Sequence, residues 1–220
     1  MRTPLLAALL HSDSALPSGS FAFSWGLEEL YEDELIGEDV PFESILEWYL
    51  TTRWAPFDRY FVHHSCLASA DERVALDRRC TAASTAAAAR MSGVSAGRAM
   101  LLSWSRMGMP PAEEFSRRIR SGAADGNLPV VQGLVYAESG MDQDLASAVS
   151  GWTCVSSLAS AAVRMGRVGA LASQLALSRT LDVLAALLDT PVPPRPTSWA
   201  VLQDVAMERH ALRNSRLFAS

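Results

Sequence analysis

Apolar residues in this chain recur every three or four positions, and no stretch alternates apolar and polar for long between hairpin-type turns. That pattern suits helices and leaves almost no signal for strands. Phe42, Ile45, Leu46 and Tyr49 repeat at helical spacing behind Pro41. Leu177, Leu181, Leu184 and Leu188 hold one stripe of a long helix over successive turns. Thr3-Pro4 reads as an N-cap with proline at the first helical position, leading into Leu5 to Leu10. The run from Arg79 to Arg90 is rich in alanine, the strongest helix former. Breakers stand at Pro17-Ser18-Gly19, Gly37, Gly108 to Pro111, Gly122 to Gly126 ahead of Pro129, Gly140 and Pro191 to Pro196. They cut the chain into roughly eight to ten helices. The sequence therefore predicts an all-α, single-domain helical bundle. Residues 1–190 form its core, residues 191–196 a proline-rich linker that cannot continue a helix, and residues 197–220 an appended helical tail.

Composition narrows the chemistry. All nineteen basic residues are arginine. A P-loop lysine, a Schiff-base lysine and a lysine general base are therefore all impossible. The net charge of −5 argues against a phosphate-backbone binder, which needs a basic face. Cys66, Cys80 and Cys154 are odd in number and widely spaced, so they build neither a disulfide framework nor a CxxC unit. No secretory leader pattern opens the chain, and no apolar run approaches the ~20 residues of a bilayer span. The sequence reads as cytoplasmic, with neither nucleic acid nor membrane among its partners.

Two motifs invite catalytic or metal chemistry. Gly93-Val94-Ser95-Ala96-Gly97 matches the G-x-S-x-G nucleophile elbow, with His210 downstream in the right chain order for a serine hydrolase. That elbow needs a strand before it, and here the preceding residues form an alanine-rich helical run. A helix break between two packed helices is the plainer expectation. His63, His64 and Cys66 bunch together, and imidazole with thiolate suits nickel, copper or zinc. A tight site usually adds a third or fourth ligand at fixed spacing, and none is evident. The sequence thus predicts no catalytic centre, no metal site and no cofactor.

Charge is distributed unevenly. From Glu28 to Glu47 the chain carries Glu28, Glu29, Glu32, Asp33, Glu34, Glu38, Asp39, Glu43 and Glu47 without one basic residue. The tail is the reverse, with Arg209, Arg213 and Arg216 close together. Such segments are either solvated faces or complements to a partner's charge.

The stretch Pro17, Gly19, Phe21, Ser24, Gly26, Leu27 and Glu28 resembles the N-terminal signature of the urease accessory protein UreF family. Three later segments are similar to that family in the same order. These are Leu128-Pro129-Val130-Val131 with Gly133-Leu134, then Ser160 to Met165 with Gly169 and Gln174, and last a C-terminal signature. The last comprises Arg209, His210, Ser215, Arg216, Leu217, Phe218 and Ser220. Departures from the family pattern fall at Ser20, Leu128, Gln132, Arg167, Ala170, Ala211 and Arg213. The resemblance implies an all-α protein that dimerises and binds the accessory protein UreD (UreH). Together they would recruit the GTPase UreG and help load nickel into apo-urease. It also implies that the C-terminal signature contacts the UreD-like partner. Trp199, Val201, Leu202, Val205, Leu212, Leu217 and Phe218 are much apolar surface for a short tail. Residues 197–220 are therefore expected to be a docking element whose order depends on that partner.

Overall fold

The computed structural model describes residues 2–13, 16, 23–37, 39–212 and 217–218. The helices run α1 (Arg2–Ser12), α2 (Leu27–Glu32), α3 (Phe42–Tyr49), a π-helical segment (Leu50–Asp58), α4 (Arg59–Leu67), α5 (Ala70–Ala83) and α6 (Ala87–Arg106). They continue with α7 (Pro110–Arg120), α8 (Leu128–Glu138), α9 (Gln143–Arg164), α10 (Ala170–Leu188) and α11 (Val201–Ala211). No strand occurs among the described residues, so the fold is all-α, as the periodicity indicated.

Two apolar clusters make the core, and they meet along α9. One gathers α1, α4 and α6 around α8, through Phe61, Met100, Leu101, Val130, Leu134 and Val135. The other joins α2, α3, α10 and α11 through Leu27, Leu46, Trp54, Leu158, Leu177 and Ala206. α8 is buried from Pro129 to Tyr136 on every side, the expected place for a helix apolar all round. It lies so close to α4 that a Cβ on Gly133 would stand 2.5 Å from the Val62 carbonyl oxygen. Ser65 Oγ, on α4, donates to the Val130 carbonyl at 2.7 Å.

A buried helix needs its free N-terminal amides satisfied. At α8 the Asn127 carbonyl accepts the Val130 and Val131 N–H groups, and Asp77 on α5, itself fully buried, anchors the loop that leads into the helix. Its carboxylate accepts the backbone N–H of Asp125 at 2.5 Å, of Gly126 at 3.0 Å and of Asn127 at 2.7 Å. Asn127 Nδ2 adds a fourth bond at 3.0 Å. At the other pole, buried Arg59 closes the end of α10. Its guanidinium donates to the carbonyls of Leu187 at 2.6 Å, Leu188 at 2.9 Å and Thr190 at 2.9 Å. A cation at those carbonyls also suits the negative end of the helix dipole.

The proline linker does not detach the C-terminal helix from the core. Pro56 sits inside the π-helical segment and lacks the N–H that the Thr52 carbonyl would receive in a regular α-helix. The Trp199 N–H donates to that carbonyl at 2.9 Å, and the Thr197 N–H donates to the Pro56 carbonyl at 2.9 Å. The widened helix thus holds the chain leading into α11. α11 then buries Gln203, Ala206, Met207 and His210. Glu208 accepts the Ala88 N–H at 2.9 Å and so caps the first turn of α6. α11 therefore packs against the core of its own chain.

Three details differ from the sequence reading. The alanine-rich run breaks at residues 84–86, and the Gly93–Gly97 stretch expected to break is the unbroken middle of α6. Gly97 is there because α6 crosses the loop ahead of α8, where a Cβ would collide with the Gly126 carbonyl oxygen. On α10, Leu177 and Leu184 are buried but Leu181 faces solvent, because the buried stripe passes through Ser173, Ala176 and Thr180 instead. Finally, α9 and α10 are long and apolar enough, by length and composition, to cross a bilayer, although no single apolar run signals it.

Two residues offer tests of this frame. Asp77→Ala leaves three backbone donors without their acceptor and should cost about 3 kcal/mol. Thermal unfolding should then fall by roughly 6–12 °C for a chain of this size. His11, the last anchor of α1, stacks on Trp104 at 4.5 Å and lies 2.9 Å from Ser139 Oγ. Burial pushes its imidazole from 6.5 down to about 4, so the folded state holds it neutral while the unfolded chain protonates it. Its contribution is complete above pH 6.5 and is lost as the pH falls toward about 4. Urea midpoints should decline through that window in the wild type and decline less in His11→Gln.

Candidate functional site

The N-terminal and C-terminal signatures, far apart in sequence, fold onto one another. α2 begins at Gly26, whose φ of 83° suits glycine. A Cβ at this position would also press on α11, 3.1 Å from Met207 Cγ and 3.2 Å from the Gln203 carbonyl oxygen. Ser24 and Leu27 are fully buried beneath this crossing. Tyr49 Oη donates to the Trp25 carbonyl at 2.9 Å and ties the turn to α3.

Glu28 is the clamp. One carboxylate oxygen accepts the Leu217 N–H at 2.9 Å and the other the Phe218 N–H at 3.3 Å. His210, with no exposed surface, lies between the two acids of α2. Its Nε2 is 3.7 Å from Glu28 and its Nδ1 3.7 Å from Glu29. Phe218 is buried, and the Arg164 guanidinium lies 4.4 Å from its ring centroid. Arg209 pairs with Asp33, and Arg167 pairs with Glu32 at 2.8 Å. Arg209 of the basic segment is therefore paired with the acidic run inside one molecule, which the charge pattern alone could not distinguish from a pair between two. Sequence reasoning missed Glu29, Asp33, Arg164 and Arg167 as members of this cluster. Their signal was the acidic run itself, read together with the basic tail.

Of the predicted site residues, Ser24, Gly26, Leu27 and Glu28 meet Arg209, His210, Leu217 and Phe218 here. Pro17, Gly19, Phe21, Ser215, Arg216 and Ser220 lie outside the described residues. Leu217 and the Arg209 side chain reach solvent, whereas His210 and Phe218 do not.

The hydrolase alternative fails on geometry. Ser95 is exposed on the middle of α6, with no strand and no elbow, and His210 is enclosed by Glu28, Glu29 and Phe218. Of the candidate metal ligands, the His63 and His64 rings pack edge to face with centroids 5.4 Å apart, and each takes a different further neighbour. His63 Nε2 lies 3.1 Å from Gln143, while His64 packs 4.3 Å from the Tyr60 ring. Burial pushes the Cys66 thiol up to about 11. An interior cavity of about 80 Å³ is lined by Arg53, Asp58, Cys154, Gln203 and Asp204. Burial likewise raises the Cys154 thiol, to about 12.

The described residues form an all-helical protein in which the described parts of the two signatures meet at Glu28. Residues 40–181, more than half the chain, match the UreF family model. The chain is 28% identical over 226 residues to the urease accessory protein UreF of Trichodesmium erythraeum, covering 98% of this chain and 96% of that one. It is 25% identical over 177 residues to UreF of Streptococcus thermophilus, covering 78% and 75%. Against UreF of Paenarthrobacter aurescens it is 25% identical over 214 residues, covering 95% of each. The chain belongs to the UreF family of urease accessory proteins, which are not enzymes.

If Glu28 holds the C-terminal segment, Glu28→Ala should free it without unfolding the core. Exchange of the Leu217 and Phe218 amides should accelerate by roughly tenfold, the equivalent of one or two lost hydrogen bonds. Amides of α8 should exchange at the wild-type rate, and Glu28→Gln, which keeps an acceptor, should fall between.

Proposed function

We propose that this chain is a non-catalytic scaffold for urease maturation. It binds a UreD/UreH-like accessory protein, and with it recruits a UreG-like GTPase for nickel insertion into apo-urease. It acts as a homodimer in the cytoplasm and makes no use of nucleic acid or membrane. Residues 1–190 serve as the helical core, and residues 197–220 as the segment that engages the partner after the 191–196 linker. Within that segment we assign Arg209, Leu217, Arg216, Ser215 and Ser220 to the contact itself. His210 and Phe218 act from the inside, by fixing the segment on α2.

One observation carries this reading. Among the described residues of the two segments that resemble the family's terminal signatures, Glu28 holds the Leu217 and Phe218 amides against α2. Residues devoted to shaping a surface in this way suit recognition of another protein. Family membership supports the same reading through the shared description of the relatives as urease accessory proteins.

The test is co-purification. Tagged full-length chain, co-expressed with UreD-like and UreG-like proteins and apo-urease, should retain both accessory proteins through gel filtration. It should also raise urease activity in nickel-supplied cells that lack their own UreF. Failure of the wild-type chain to retain either protein would sink the proposal.

A further inference from the structure

The turn from α2 into α3 makes a second feature that the clamp does not use. α2 ends with Glu34 at φ 54°, in the left-handed region. The Leu35 N–H returns to the Leu30 carbonyl at 3.0 Å, and the Glu34 N–H to that of Tyr31 at 3.2 Å. This is a Schellman closure, which brings the residue after the left-handed position against the start of the last turn. Here it sets Leu35 over Leu30. Leu30, Leu35, Ile36, Val40, Ile45 and Trp48, with Leu202 of α11, then line a groove of about 190 Å³. Leu35 is 43% exposed, Val40 40% and Leu202 52%. Trp199, 73% exposed, is fastened beside it by its bond to Thr52.

The charges around this groove are left over. Glu28, Glu32, Asp33 and Glu43 are engaged by the tail backbone, Arg167, Arg209 and Arg179. Glu34, Asp39 and Glu47 stand next in sequence to Leu35, Val40 and Trp48 of the lining, and among the described residues they form no ion pair. An apolar, aromatic floor with an uncompensated acidic rim describes a docking site for a positively charged element. It disfavours a second copy of this chain, because a two-fold contact would set the same acids against themselves. It equally disfavours an anionic membrane surface.

We propose that this groove receives a segment of a partner protein bearing apolar side chains flanked by arginine or lysine. The inference rests on the scaffold reading above and gives it a second contact, separate from the C-terminal signature. Leu35, Val40, Trp48 and Leu202 take the apolar side chains. Glu34, Asp39 and Glu47 steer and orient the basic ones.

The experiment titrates the full-length chain with the UreD-like and the UreG-like protein separately, at low and high salt. Leu35→Asp and Leu202→Asp alter exposed positions, and unchanged melting curves will confirm that they fold. Each should weaken binding of one partner by roughly tenfold or more, as truncation of a central anchor does. The triple reversal Glu34→Lys/Asp39→Lys/Glu47→Lys should weaken the same partner and remove the loss of affinity with salt. If the wild type binds and all three variants bind equally well, the groove is not the site, although the scaffold reading stands. If the wild type binds neither partner, the scaffold reading itself has failed, and this inference with it. If sedimentation shows self-association that the same variants abolish, the occupant is a second copy and the proposal is overturned.

Discussion

Enclosing α8 on every side is the constraint around which the other helices arrange themselves. A helix with no solvent face cannot leave its first amides to water, so their acceptor must come from the protein. The Asn127 carbonyl supplies it to Val130 and Val131, and Asp77 from α5 takes the amides of residues 125–127 and so fixes α5, that loop and α8 as one unit. Close approach then requires small residues where helices cross. Gly133 meets α4, and Gly97 lets α6 pass over the loop. The Pro-Val-Val segment that marks the family is the start of this helix, so its apolar character is a packing requirement before it is anything else.

The second cluster is organised by a different device. Proline in the π-helical segment leaves its backbone open to bonds from elsewhere, and the residues just past the linker provide them. This delivers α11 onto α2 with a defined entry point. α11 in turn caps α6 through Glu208 and covers Gly26 through Met207. The C-terminal segment is thus a structural part of the core before it can be a contact for anything else. Its engagement by a partner need not begin from a free tail.

Charge divides the surface into two kinds of ground. Where acids of α2 and α3 meet arginines of the α9–α10 turn, α10 and α11, the pairs are largely solvent-exposed and add little to stability individually. Their effect is on orientation: they hold the basic tail in one register against α2. Glu34 and Asp39, in the turn after α2, form no ion pair among the described residues, and they are sequence neighbours of Leu35 and Val40, which line the apolar groove beside α11. Stability and recognition are therefore handled by neighbouring segments of the same acidic run.

Periodicity alone determined that the chain is all helix, and the short signatures alone pointed to the family. Both are local properties, carried by spacing and by residue type. Phe42, Ile45, Leu46 and Tyr49 are buried as their spacing demands. Tertiary structure decided what local pattern could not. Gly97 of the helical G-x-S-x-G run is there because α6 crosses the loop ahead of α8, and Leu181 faces solvent because α10 turns a Ser–Ala–Thr stripe inward. Asp77 and Arg59 carry no sequence signal, since each acts on backbone groups roughly 50 and 130 residues away, a relation only packing creates. The acidic run and basic tail were both visible in the sequence. That they satisfy each other within one molecule, through Glu28, Asp33 and Arg209, comes only from the crossing of α2 and α11.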